Sequence, residues 1–152
     1  MAPSMIEVSV ESTAVRLKLD AMPEAIRSGV RTTVGVLAEK LRSHIVSDKL
    51  RGEVLNRRTG LLGDSLFYKV EDTAQGITGT VATCKNVPYA KIHEYGAVIN
   101  REIYQAWGRP LKNPHTVTFH YKERSFMRTG LADMREDIVT SLRNAVMKAA
   151  KI

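Results

Sequence analysis

The sequence predicts an α+β fold, and three observations carry that prediction. Apolar and polar residues alternate in short stretches near the N-terminus and in the middle of the chain, the pattern of half-buried strands. Two much longer stretches place apolar residues three and four apart, the pattern of amphipathic helices. At 152 residues, 43% hydrophobic and 26% charged, the chain suits a single domain that buries roughly two thirds of its unfolded surface.

The first strand is expected around Ile6, Val8 and Val10, which face one way while Glu7, Ser9 and Glu11 face the other. Residues 12–20 allow two readings. Val15, Leu17 and Leu19 alternate like a strand, whereas Ser12 can cap a short helix. From Met22 the stripe Met22, Ile26, Val30, Val34, Leu37, Leu41 and Ile45 falls within about 140° of arc at about 100° per residue. That spacing predicts a helix of six turns or more, with Asp20 at its N-terminus and Pro23 in its first turn. His44 lies beside the stripe and reads as a packed histidine rather than a metal ligand.

A basic loop over 46–58 is expected next, then a short helix capped by Thr59 that carries Leu61, Leu62 and Leu66. Phe67 to Glu71 and Gly76 to Thr83 read as an antiparallel hairpin. The run from Tyr89 to Gly96 predicts a short helix entered at Pro88 and stopped by Gly96, with Tyr89, Ile92 and Tyr95 along one side as a docking element. His93 and Glu94 are adjacent and point in different directions, so they are not the facing pair of a zinc-protease helix. Residues 97–116, with Trp107, Gly108, Pro110 and Pro114, are expected to be a long connecting loop. A strand at Val117 to Tyr121 and a final helix lined by Leu131, Met134, Ile138, Leu142 and Val146 complete the chain.

The net charge of +7 is concentrated in two regions. Residues 40–60 and residues 101–128 each carry six bases against two acids, a surplus of four apiece. Loops and helix ends are expected to hold this surplus rather than a recognition helix. A solvated or subunit-facing surface and direct phosphate contact both fit. Cys84 has no partner for an internal disulfide and reads as a small, partly buried side chain. No apolar run approaches the roughly 20 residues that span a bilayer, and Met1 to Met5 lack the pattern of a secretory signal, so cytosolic residence is the expectation. The best enzymatic constellation is Asn113, His115, His120 and Glu123, as in a metal-dependent nuclease, but no motif spacing supports it. No catalytic residue, metal or cofactor is therefore expected.

Three motifs in order resemble the small tail-completion, or neck, proteins of long-tailed bacteriophages, a family of minor tail and head-tail joining components. They are Arg58-Thr59-Gly60-Leu61-Leu62, then Tyr89-Ala90 through Glu94-Tyr95-Gly96, then Ser125-Phe126-Met127-Arg128. The resemblance covers most of the chain, although Thr129 and Gly130 stand where the family pattern usually has a proline. It implies a twisted antiparallel sheet packed against the long helices, and a structural role without catalysis. It also implies a homo-oligomeric ring, hexameric in relatives, between tail tube or terminator proteins and the head connector. Genomic DNA would pass through the lumen without sequence-specific binding, and no membrane is involved. On this view the protein works in the virion neck and in the host cytoplasm during assembly. Tyr89, Ile92, Tyr95, Trp107 and Phe126 are then expected as packing or interface anchors, and Arg57, Arg58, Arg109 and Arg128 as charged partners at subunit contacts. The alternative expectation is a basic DNA-binding module that forms no ring.

Overall fold

The computed structural model describes residues 7–9, 24–55, 60–74, 76–84, 87–106 and 108–150. The expectations for Ser12 to Met22, Arg57, Arg58, Thr59 and Trp107 fall outside these residues. The fold is α+β, as the alternation of patterns predicts. Strand β1 (Glu7–Ser9), helix α1 (Glu24–His44), short helix α2 (Leu61–Asp64), strands β2 (Leu66–Thr73) and β3 (Gly76–Thr83), helix α3 (Tyr89–Tyr95), strands β4 (Ala97–Ala106) and β5 (Arg109–Tyr121), and helix α4 (Met127–Ala150) follow in order.

Strands β1, β3 and β2 form an antiparallel three-stranded sheet in that order, with Val8 opposite Val81 and Tyr68 opposite Val81 from the other side. Helix α1 lies on this sheet. Gly79 is what lets it come close, because a Cβ there would sit 2.8 Å from Val34 Cγ1. Arginines on α1 hold both ends of β2. Arg42 Nε donates to the Leu66 carbonyl at 2.6 Å, and Arg27 donates to the Thr73 carbonyl at 2.6 Å while pairing with Asp72.

The stripe that predicts α1 is the stripe it buries. Val30, Leu37, Leu41 and Ile45 are all buried, and Leu37 meets Ile138 and Leu142 of α4 in an interhelical cluster. The main core gathers Leu41, Ile45, Leu50, Leu55, Leu66, Val81, Val87, Ala90, Phe126 and Met127. Burial of each large aliphatic side chain in such a core contributes about 1.5–3 kcal/mol.

Two expected loops are regular structure instead. Beyond His44 the chain continues as a π-helical segment, Ile45–Glu53, that leaves helical geometry only at Arg51 and at Gly52 with φ 129°. The wider winding turns Ile45, Lys49 and Leu50 inward together, and Leu50 and Leu55 join the core, which is why 46–58 is not a free basic loop. The second correction is larger. Residues 97–116 are not a connecting loop, since β4 and β5 pair antiparallel from Ala97 opposite Tyr121 to Ala106 opposite Arg109. Val98, Ile99, Ile103, Thr116, Val117, Thr118 and Phe119 are strand formers. The prolines that argued for a loop sit in a ribbon whose outer edges need no N–H donor, next to an irregularity between Ile103 and Gln105. Cys84, expected to be partly buried, is exposed just past the end of β3, its backbone N–H donating to the Ser65 carbonyl at 2.9 Å and its carbonyl accepting the Val87 N–H at 3.3 Å.

Candidate functional site

The feature most worth a functional reading is the β4–β5 ribbon and the way it is mounted. β4 and β5 pack on each other and on hardly anything else among the described residues. Opposed residues of an antiparallel pair share a face, so Ala97 with Tyr121, Ile99 with Phe119, Arg101 with Val117, and Ile103 with His115 form one side. That side is mostly apolar and uncovered: Phe119 is 39% and Tyr121 45% exposed, and their rings stack at 6.5 Å. Val98 with His120, Asn100 with Thr118, and Glu102 with Thr116 form the other side, which is mainly polar. A two-stranded ribbon is marginally stable in water without a cover for its apolar face. This one therefore presents a surface suited to contact.

At its root the ribbon is fixed by a buried carboxylate. Glu94, in the last turn of α3, is fully buried. Its Oε2 accepts the backbone N–H groups of Phe126 at 2.8 Å and Met127 at 2.9 Å. Its Oε1 accepts the Arg128 N–H at 3.1 Å and Arg128 Nε at 3.0 Å. The first N–H groups of a helix have no partner within it and carry its positive dipole end, so an anion placed there is well stabilised. Glu94 serves that purpose for the 24 residues of α4.

Arg128 completes the joint. Its Nη2 donates to the Glu94 carbonyl at 2.8 Å and to Glu123 at 2.7 Å, and its guanidinium lies 4.9 Å from the centre of the Tyr95 ring. The Glu94 carboxylate foremost, and Glu123 with it, push the Arg128 pKa above its ordinary value. Between these contacts the strands of the ribbon leave and return. Gly96, with φ 70°, starts β4 so tightly that a Cβ would come 2.9 Å from the Tyr121 carbonyl oxygen, and Arg124 N–H donates to the His93 carbonyl at 2.7 Å. Burial of His93, with Arg124 nearby, lowers its pKa below the ordinary histidine value.

A second ionic cluster lies where the π-helical segment meets α4. Lys49 is buried and pairs with Asp133 at 2.5 Å and Glu53 at 2.6 Å, while His44 contacts Asp48 at 2.8 Å and Asp133 at 3.4 Å. The hydrogen bond to Asp133, then the one to Glu53, raises the Lys49 pKa, and the Lys49 ammonium, then His44, lowers that of Asp133. His44 thus packs at partial exposure against the carboxylates of Asp48 and Asp133. This cluster ties α1 to α4, and no described group of His, Cys, Asp and Glu is arranged to hold a metal.

The residues expected as anchors divide between the interior and the surface. Phe126 is fully buried in the core, so it is a packing residue and not available to a partner. Tyr89 packs partly against that core, and Ile92 is half-buried. Tyr95 is half exposed beneath Arg128, which pairs with Glu94 and Glu123 of the same chain. Arg109 is exposed at the ribbon tip. The inward side of α3 is Ala90 with Glu94, four residues apart, and not the Tyr89, Ile92, Tyr95 side. Glu94 escaped the sequence reading because its partners are backbone groups some 32 to 34 residues away. The one available signal was its i,i+4 relation to a small apolar residue. His115 and His120 are five apart on β5 and so project to opposite faces, which separates the nuclease constellation. Comparison with protein-family models, with characterised proteins and with solved structures finds no match to this chain.

Proposed function

We propose that this protein is a structural component of a tailed-phage virion. It forms a ring, with six copies by family resemblance, at the head-tail junction, where it completes the tail end and joins it to the head connector. The observation that carries this reading is the ribbon, a contact surface that stands clear of the body on a rigid root. An assembly subunit needs two different faces, because a head-to-tail contact repeats until the ring closes. The resemblance gains support from how its motif residues are used: Glu94 of the middle motif holds the backbone of Phe126, Met127 and Arg128 of the last one. Motifs far apart in sequence thus serve one joint that aims the ribbon.

No helix among the described residues is long and apolar enough to cross a membrane. Within the proposal, partners are the tail tube or terminator proteins on one side and the connector on the other. Genomic DNA passes through the lumen without sequence-specific contact, the scattered bases of the ribbon giving only a diffuse positive field.

The experiment is the solution mass by light scattering across concentration in moderate salt, with electron microscopy of the heaviest fraction. Closed rings are the expected result. A monomer at every concentration that binds DNA with steep salt dependence would replace this reading with a basic DNA-binding module.

A further inference from the structure

We infer that the partner surface for the ribbon is the groove between α1 and α4 of a second copy of this chain, an inference that rests on the ring reading above. The groove has a volume of about 290 Å³, with Leu37 and Met134 among its lining and Lys40, Glu136 and Asp137 supplying its charge. Its polar remainder is Thr140 and Ser141.

Charge complementarity selects this occupant. The other α4 acid nearby, Asp133, is satisfied by Lys49 and His44. Glu136 and Asp137, both exposed, have no hydrogen-bond or ion-pair partner among the described residues, and the same is true of Arg101, Arg109 and Lys112 on the ribbon. Arg101 projects from the apolar side of the ribbon, in line with Ile99 and Ile103. A ribbon laid with that side along α4 would therefore bring Arg101 to the unpaired carboxylates of Glu136 and Asp137.

The ribbon does not serve its own groove, since β4 and β5 make no substantial contact with α1 or α4 of the same chain. Its root, pinned at Gly96 and Arg124, keeps it clear. Ribbon and groove are different surfaces on each copy, so the contact runs head to tail and closes a ring when its rotation divides a full turn.

Charge exchange tests this. One variant carries Glu136→Lys with Asp137→Lys, and the other Arg101→Glu with Lys112→Glu. All four positions are exposed, and retention of helical circular dichroism checks folding. Each variant alone should need at least about tenfold more protein to assemble, because like charges then face each other. An equimolar mixture should recover wild-type assembly, since every contact in an alternating ring again joins opposite charges. Where a variant misfolds, the same contact is read on a Cys84→Ser background with Ile103→Cys and Ser141→Cys, which should give disulfide-linked chains between copies. Assembly undiminished in either variant, no recovery on mixing, or no cross-link would overturn the groove as the partner and leave the ring reading standing. A wild-type protein that stays monomeric throughout would overturn both.

Discussion

Ile45 occupies the space that a side chain at residue 130 would need. A Cβ on Gly130 would lie 2.7 Å from Ile45 Cγ1, closer than two carbons can approach. Gly130 lies in the first turns of α4 and Ile45 at the junction of α1 with the π-helical segment, so this contact sets how closely the two long helices meet. Alanine normally improves a helix interior over glycine by about 1 kcal/mol. Here Gly130→Ala is expected to destabilise instead, by about 1–3 kcal/mol from overpacking. Urea denaturation reads the sign, and a stabilised variant would mean that Ile45 yields at no cost.

Removal of the Glu94 carboxylate should rank among the most damaging single changes. Glu94→Gln keeps the size, but it loses the charge that faces three backbone N–H groups and the Arg128 guanidinium. The expected loss is about 2–4 kcal/mol, as for an unpaired group in a buried network. Glu123→Gln, at an exposed partner of the same arginine, should cost less than about 1 kcal/mol. Hydrogen exchange adds a local check: the amides of Phe126, Met127 and Arg128 should exchange faster in Glu94→Gln alone. Equal effects of the two variants would remove Glu94 from its place as the cap of α4.

Stability should depend on pH in three windows. Burial holds His93 below its ordinary 6.5, so its neutral form belongs to the folded state, and stability declines as pH falls from 6.5 through the folded value. Asp133 is held below 3.8 by Lys49, so its contribution is present above 3.8 and lost as pH falls through the folded value. Lys49 is raised above 10.5, so its contribution is present below 10.5 and disappears as pH rises through the folded value. Denaturation midpoints across pH should therefore stay level from about pH 7 to 10 and drop on either side. His93→Gln should flatten the decline just below 6.5, and Asp133→Asn should weaken both extremes. An unchanged profile in Asp133→Asn would show that the pair with Lys49 adds nothing to folding.

Cys84 should react completely with a thiol reagent in the native protein, at a rate close to that of the unfolded chain, because its side chain is exposed. A thiol protected until denaturant is added would place it inside a contact that the single chain does not form.

The parts of the fold legible in the sequence are those where one local period decides the structure. The seven-residue stripe from Met22 to Ile45 dictates a helix whatever it packs on, and Val30, Leu37, Leu41 and Ile45 are the residues it buries. The β2–β3 hairpin was equally plain from its alternation and turn. The ribbon was not, because Pro110 and Pro114 are turn signals, and only the unpaired outer edges of a two-stranded sheet make them harmless. The π-helical segment was hidden because its charged residues read as a solvated loop, whereas Lys49 is buried through pairing with Asp133, 84 positions later. The candidate site was half legible. The Tyr89 to Gly96 run reads as a helix with a glycine stop, but the side that stands out in the sequence is Tyr89, Ile92 and Tyr95, whereas the residue that grips distant backbone is the acid Glu94.

The root of the ribbon has a mechanical consequence. Both strands enter the body within a few residues of Glu94, and Gly96 leaves no slack on the entering side, with the Tyr121 carbonyl 2.9 Å from where a Cβ would be. Such a ribbon is a lever with a stiff fulcrum, not a tether. A pull on its far end is delivered as torque to the first turn of α4, through four hydrogen bonds to one carboxylate. Whatever the ribbon holds is thereby held at a set angle to the long helix, and that joint is the expected point of mechanical failure when the arm is overloaded.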